Sequence, residues 1–198
     1  MRHLLRAGGL ALLLVLTAVL GTATPAAAQP ASEAPAQRIA GGLRPVVDLS
    51  AQRVLVGDLV AASKWGTDQP IDDPAREQAV LAAVAELARE RGTDPDRVVA
   101  IFRDQIEASK IVQRGLFRQW TRHPEQAATE RPDLDQVRAE INRLNVGIVD
   151  AVADSERARG SLLCGVGVVL AEVRVDHERD LDALHRRALD RSVDSVCG

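Results

Sequence analysis

The longest stretch without a helix-breaking signal runs from Asp94 to Thr121, and it constrains the fold more than any other part of the sequence. It opens with Asp94-Pro95-Asp96, a pattern typical of an N-cap, a proline at the first helical position and an acid in the first turn. No proline follows until Pro124, and Gly115 is the only glycine between Asp94 and Thr121. A helix of this length is a rod of about 40 Å, so we expect the other elements to pack along it.

One face of this helix forms a stripe of residues spaced three and four apart, as expected for a buried surface. The stripe consists of Val98, Phe102, Ile106, Ser109, Gln113, Phe117 and Trp120. Ser109 and Gln113 are polar and lie one turn apart, where an aliphatic residue would pack better. Because a buried amide without a partner costs about 1–3 kcal/mol, we expect a polar group to meet these two side chains.

Prolines, glycines and capping aspartates divide the rest of the chain into further helices. The predicted helices span about 45–64, 74–92, 94–121, 133–155, 161–175 and 176–196, with Asp73, Asp133 and Asp176 as N-caps. No segment shows strand alternation between turn signals. The sequence therefore predicts an all-α, single-domain bundle of about six helices, with antiparallel neighbours joined by short connections.

The first 28 residues have the pattern of an export signal. Arg2 and Arg6 precede a short apolar run, and Ala26-Ala27-Ala28 offers a cleavage site. The apolar run is short for a spanning helix, which needs about 20 residues, although a retained anchor is the alternative. We expect a signal peptide at 1–28, a flexible leader at 29–44 and a helical domain at 45–198.

The charge balance argues against some partners. The net charge is −3, and loss of the two arginines of the signal peptide would make it −5. An acidic domain is a poor ligand for nucleic acid, and we expect no stable membrane association after the signal peptide is removed.

The chain has two cysteines, Cys164 and Cys197. In an exported chain such a pair predicts one disulfide, and two separate buried thiols are the alternative. The four histidines show no ligand-like pairing with a cysteine, so we expect no metal and no cofactor.

Four cations interrupt the apolar stripes of three helices: Arg53, Lys64, Arg76 and Arg138. Each could extend its charged end to the solvent along the rim. Unpaired buried cations cost several kcal/mol each, however, and few acids point inward to match them. The alternative is a cavity whose missing negative charges arrive with a ligand, such as a small compound that carries two carboxylates.

These residues stand in segments that resemble the secreted subclass of the helical, AroQ-type chorismate mutases. The resemblance covers about residues 45–198, and the cysteine pair matches a disulfide of secreted members. Its segments are Arg53 with Lys64-Trp65 eleven residues on, Pro70-Ile71-Asp72-Asp73-x-x-Arg76, Phe102-x-Asp104-Gln105-Ile106-x-Ala108-Ser109-x-x-x-Gln113, and Pro132-Asp133-Leu134-x-x-x-Arg138. Val80 departs from some relatives, which carry a glutamine there, so one polar contact is absent.

The resemblance implies the pericyclic rearrangement of chorismate to prephenate, which needs no metal, nucleophile or proton transfer. It also implies binding roles. Arg53 and Arg138 would clamp the carboxylates of the substrate, and Ser109 would add a hydroxyl bond. Arg76, oriented by Asp73, would help to hold the substrate.

The remaining roles concern the ring hydroxyl and the ether oxygen. Glu77 would accept from the ring hydroxyl. Lys64 and Gln113 would donate to the ether oxygen from opposite sides as it gains electron density. By the resemblance, Arg138 takes the place of an arginine that intracellular relatives take from a second subunit, so each chain would hold a complete site and a homodimer is possible but not required.

Two rival hypotheses remain at this point. One is a non-catalytic exported helical protein that binds a small dicarboxylate without converting it. The other is a structural protein whose inward arginines pair with Asp73, Asp104 or Glu107, which would leave no cavity.

Overall fold

The computed structural model describes residues 33–198, so the predicted signal peptide at 1–28 and the start of the predicted leader lie outside the described residues. That part of the chain contains seven α-helices, a 3-10 turn at Pro124–Gln126 and no strand. The α-helices are α1 (Pro35–Lys64), α2 (Pro74–Glu90), α3 (Pro95–Arg122), α4 (Leu134–Asp154), α5 (Glu156–Arg159), α6 (Cys164–Arg179) and α7 (Ala183–Val193). The predicted all-α class is confirmed, with the four-residue α5 as an element that the sequence did not predict.

Side-chain caps explain why three of the helices begin where the sequence placed them. Asp73 accepts from the backbone N–H of Arg76, and Asp94 and Asp133 each accept from the backbone N–H two residues on. These bonds satisfy N–H groups that have no partner inside a helix. The long rod α3 thus differs from its predicted span by about one residue at each end.

The start of α1 differs from the prediction. The helix begins at Pro35, whereas a flexible leader was expected up to residue 44, and Leu43 is fully buried. The reason is close packing against α6: a Cβ at Gly167 would lie 2.6 Å from Ile39. Small residues that suggested a flexible segment instead allow two helix backbones to approach.

The predicted boundary between the last two helices is also wrong. Asp176 was expected to cap the final helix, but α6 continues through it to Arg179. The chain turns at Asp180, which adopts the left-handed conformation with φ 48°, and Asp182 caps α7 by accepting from the backbone N–H of His185. Aspartate tolerates the left-handed region better than most residues, so Asp180 can end α6 without a glycine.

The core is built from aliphatic residues of α1, α2, α3, α4, α6 and α7, with Phe102 as the largest fully buried side chain. The predicted disulfide is confirmed. Cys164 and Cys197 are bonded, with their Cα atoms 5.7 Å apart, and they fasten the start of α6 to the segment after α7. None of the helices in residues 33–198 combines the length and the apolar character that crossing a bilayer requires.

Candidate active site

A cavity of about 330 Å³ lies between α1, α2, α3, α4 and the connection from α1 to α2. Its polar lining comprises Arg53, Lys64, Gln69, Asp73, Arg76, Glu77, Ser109, Lys110, Gln113 and Arg138. Its apolar lining comprises Val60, Pro70, Ile71, Val80, Ile106, Leu134 and Ile141. All eight residues that the sequence singled out as site residues therefore line one cavity.

Helix geometry accounts for this convergence. Arg53, Val60 and Lys64 share one face of α1, since eleven residues are close to three turns. Arg76 and Glu77 lie in the first turn of α2, where the cap formed by Asp73 fixes the backbone. The helices α3 and α4 complete the wall, so residues distant in sequence meet in one place.

Arg53 is the most deeply buried cation of the cavity, with 7% of its surface exposed. Its Nε donates to Oδ1 of Asn145 at 2.9 Å, and its NH1 donates to the backbone carbonyl of Gln105 at 2.8 Å. No carboxylate of residues 33–198 lies within salt-bridge distance of it. Burial lowers the pKa of Arg53 to about 10, so the guanidinium is charged at neutral pH. A guanidinium has five donors, and two of them hold it in place.

Lys64 is anchored more lightly. Its Nζ donates to the backbone carbonyl of Pro70 at 2.9 Å, which ties α1 to the segment that covers the cavity. Burial lowers the pKa of Lys64, Asp73 opposes that shift and the positive charge of Arg138 reinforces it. An ammonium has three donors, so two remain for a ligand.

Ser109 and Gln113 meet each other on α3. The amide Nε2 of Gln113 donates to the hydroxyl of Ser109 at 3.2 Å and to its carbonyl at 3.3 Å. The other amide atom, Oε1, is buried and has no hydrogen-bond partner. An unsatisfied buried polar atom is rare in native structures, and here it lies on a residue that lines the cavity.

The other cations are more exposed. Arg138 pairs with Asp135, one turn earlier on α4, at 3.0 Å, and its side chain is 43% exposed. The side chain of Arg76 is exposed at the mouth of the cavity. Exposed ion pairs contribute little to stability, so a ligand can displace the Asp135 carboxylate at small cost.

Lys110 lines the cavity but was not among the predicted site residues. Its Nζ lies 2.8 Å from Oε1 of Glu107, 2.9 Å from Oε1 of Glu77 and 3.4 Å from Oδ1 of Asp72. One signal was present in the composition. The chain has only two lysines among 25 basic residues, and both of them line this cavity.

The arrangement carries an excess of positive charge. Five basic and two acidic side chains line the cavity, an excess of three positive charges, so a small dianion would meet a net positive wall. The structural alternative required Asp73, Asp104 or Glu107 to pair with the inward arginines, but the side chain of Asp73 accepts from the backbone N–H of Arg76. Asp104 instead binds Arg191 and the backbone N–H of Ser195, and Glu107 binds Lys110.

Comparison with known proteins identifies relatives across most of the chain. The sequence model of the family described as chorismate mutase type II matches residues 44–114. The secreted chorismate mutase of Mycolicibacterium smegmatis is 39% identical over 158 residues, which cover 80% of this chain and 87% of that protein. The secreted chorismate mutase of Mycobacterium tuberculosis is 34% identical over 155 residues, 78% of each chain.

A solved structure has the same fold. The crystal structure of the chorismate mutase from Burkholderia phymatum superposes with a TM-score of 0.77 at 36% sequence identity. The match covers 81% of this chain and 98% of that one. The similarity therefore extends over most of this chain.

Proposed function

From the premise that this chain belongs to the type II chorismate mutases, we propose that the eight predicted site residues divide binding and catalysis between them. The chain is an isomerase that converts chorismate to prephenate. An ether C–O bond breaks while a C–C bond forms within one molecule, so the protein must restrain a folded dianion and stabilise the charge that develops on the ether oxygen.

Substrate carboxylates are bound by the arginines. Arg53 meets one of them, because its two protein bonds hold the guanidinium in a fixed orientation while other donors stay free. Arg138 meets a carboxylate in exchange for Asp135, and the Ser109 hydroxyl adds a further bond. Arg76 lies at the mouth and helps to retain the substrate.

The ether oxygen receives two hydrogen bonds, one from Lys64 and one from Gln113. The unpaired Oε1 of Gln113 supports this assignment. If the amide turns by half a rotation, Nε2 takes the unpaired position as a donor to the ether oxygen, while the single hydroxyl proton of Ser109 stays directed at the substrate carboxylate. Substrate binding then selects the rotated amide, because only that orientation gives the developing oxyanion a second donor.

The ring hydroxyl donates to Glu77, whose side chain lies beside the cavity at the start of α2. Asp73 caps the same turn and holds the backbone of Arg76. Chorismate is thus the small-molecule ligand of the cavity, and the roles require no further cofactor.

The observation that carries this proposal is the single cavity that all eight groups line. The test is an assay of residues 33–198 with chorismate, following loss of its ultraviolet absorbance and acid conversion of prephenate to phenylpyruvate. Conversion supports the assignment. Binding of chorismate without formation of phenylpyruvate would favour the non-catalytic dicarboxylate-binding protein instead.

Catalysis does not depend on a second subunit in this proposal, since one chain supplies every group. A mixture of the variants Arg53→Ala and Arg138→Ala tests this point. Sites that combine residues of two chains would regain activity on mixing, whereas sites complete within one chain stay inactive.

A homodimer would pack on the exposed apolar stripe of Leu162, Val166, Val169 and Val173, which are each more than half exposed. Val166, Val169 and Val173 follow one another at three and four residues along α6, the spacing of a two-helix seam, and Leu162 lies just before the helix. Val169→Glu should convert such a dimer to monomer, measured by light scattering, without loss of turnover. An unchanged mass would place the contact elsewhere or show that the chain is monomeric.

Export is consistent with the disulfide and with the secreted relatives. We assign residues 1–28 as a cleaved signal peptide that directs the chain to the periplasm or the medium. Mass spectrometry of the protein recovered from an exporting host tests this, and a mass that retains residues 1–28 would contradict cleavage.

A further inference from the structure

The geometry points to Lys110 as a positioning residue that holds the Glu77 carboxylate toward the cavity and offsets its charge, so that an acid can serve in a site for a dianion. This inference rests on the proposed function and deepens it. It concerns a residue that does not itself bond to the reacting atoms.

The first observation is the environment of the Lys110 ammonium. Its side chain is 10% exposed, and its Nζ lies within 3.4 Å of carboxylates on α3, on α2 and on the connection before α2. Burial acts to lower the pKa of Lys110, but hydrogen bonds to Glu107 and Glu77 outweigh it and raise the pKa above its ordinary value. The ammonium is therefore a permanent charge in the physiological range, with each of its three donors near an acid.

The second observation is the way in which Glu77 is held. Its Oε1 lies 2.9 Å from Lys110 Nζ and accepts from the backbone N–H of Asp73 at 3.3 Å. Its Oε2 has no hydrogen-bond partner within residues 33–198. One oxygen is thus committed to the protein, and the other is available to accept from a ligand hydroxyl.

The third observation is electrostatic. Glu77 places a negative charge in a cavity that must receive two more. At short range, like charges in a partly buried site repel more strongly than they do in water. Lys110 lies against the protein side of Glu77 and neutralises that repulsion, while Glu77 keeps its capacity to accept a hydrogen bond.

Without Lys110 the carboxylate would be drawn to the substrate-binding cations. Arg76 adjoins Glu77 in sequence, and Lys64 lines the same cavity. A Glu77 that pairs with either of them would occupy a donor meant for the substrate. The expected defect of a Lys110 variant is therefore weak substrate binding and not loss of the fold.

The experiment compares Lys110→Met, Lys110→Arg and Glu107→Gln with the parent protein, measuring kcat and KM for chorismate together with the thermal midpoint. Lys110→Met should raise KM about tenfold with a smaller change in kcat, and Lys110→Arg should restore most of the loss because a guanidinium also pairs with carboxylates. Glu107→Gln is the matched control, since it removes a partner of Lys110 that does not line the cavity. The kcat and KM of Glu107→Gln should stay within about twofold of those of the parent protein.

The decisive comparison repeats Lys110→Met in the Glu77→Gln background. If Lys110 acts through Glu77, Lys110→Met raises the KM of the Glu77→Gln protein by less than about twofold, because no acid remains to be held or offset. A full tenfold effect in that background would overturn the inference and assign Lys110 a direct contact with substrate. A fall in thermal midpoint with unchanged KM would overturn it in favour of a structural role. Failure of the parent protein to turn over chorismate would instead refute the proposed function.

Discussion

Replacing Gln113 by glutamate should convert a pH-independent enzyme into one that fails in alkali. An amide donates a hydrogen bond at every pH, whereas a carboxyl donates only when it is protonated. We therefore expect the parent protein to keep a nearly constant kcat/KM between about pH 5 and 8. Gln113→Glu should be active at pH 5 and lose activity as the pH rises.

The magnitude follows from the burial of the position. Gln113 is 4% exposed, and burial disfavours the charged form of a carboxyl, while the nearby cations partly oppose that shift. For a carboxyl whose pKa is raised from its ordinary value of about 4.3 to about 6, the protonated fraction falls about 90-fold between pH 5 and pH 8. The kcat/KM of Gln113→Glu should fall in the same proportion if Gln113 donates to the ether oxygen.

The assay is the initial rate of chorismate loss at low substrate concentration across pH 5 to 8, with the thermal midpoint recorded at each pH to exclude unfolding. Gln119→Glu is the matched control, because Gln119 lies on the same helix but is exposed and bonds to Gln126. That variant should keep the flat profile of the parent.

Two results would refute the reasoning. A steep alkaline loss in the parent protein would mean that a group other than the amide limits the rate. A flat profile for Gln113→Glu, with full activity at pH 8, would mean that this position does not donate to the reacting oxygen.

Three further predictions concern stability. Removing the bond between Cys164 and Cys197 by reduction should lower the free energy of unfolding by about 3.5–4 kcal/mol in the chain-entropy model, measured by urea denaturation; equal midpoints with and without reductant would contradict it. The hydrogen bond to Asp58 raises the pKa of His185 to about 9 against the opposing effect of burial. The charged imidazolium therefore stabilises the folded protein fully below the unfolded pKa of about 6.5, and this contribution is lost as the pH rises through 9. His185→Gln should therefore lower the thermal midpoint at pH 6 and much less at pH 10, and an equal loss at both would remove the charge from the explanation. Burial raises the pKa of Glu172 to about 7, so its charged form opposes folding above that pH. Glu172→Gln should therefore raise the free energy of unfolding at pH 8 by about 1 kcal/mol after screening, and by almost nothing at pH 4. No gain at pH 8 would show that the carboxylate is well solvated.

The sequence alone predicted those features of the structure that depend on residues close together in the chain. Asp73, Asp94 and Asp133 mark helix starts because a capping side chain needs only the next few backbone N–H groups. The stripe of α3 could be predicted from spacing alone, and the polar pair Ser109 and Gln113 stood out against it. Local rules thus predicted the helices that carry the site.

The errors arose where packing between distant elements decides the structure. The residues around Gly41 and Gly42 resemble a flexible leader, but contact with α6 keeps them helical. Asp176 was expected to cap the last helix, but the chain turns at Asp180 and Asp182 provides the cap. Neither choice follows from spacing.

Lys110 illustrates the same limit within the site. It follows Ser109 directly, so a helix of ideal geometry turns it about 100° away from the stripe. It lines the cavity because Glu77 and Asp72 approach from α2 and its connection. A salt-bridge network between three segments has no signature in any one of them.

The central claim is that fixed positive donors in one cavity stabilise the oxyanion that forms as the ether bond breaks, and the turnover number of Lys64→Ala tests it most directly. The ammonium has two donors beyond its bond to Pro70, and single oxyanion donors elsewhere contribute about 10²–10³ in kcat. The account predicts a loss of at least about 10²-fold in kcat, with a smaller change in KM and an unchanged thermal midpoint. Near-full turnover by a folded Lys64→Ala protein would contradict it.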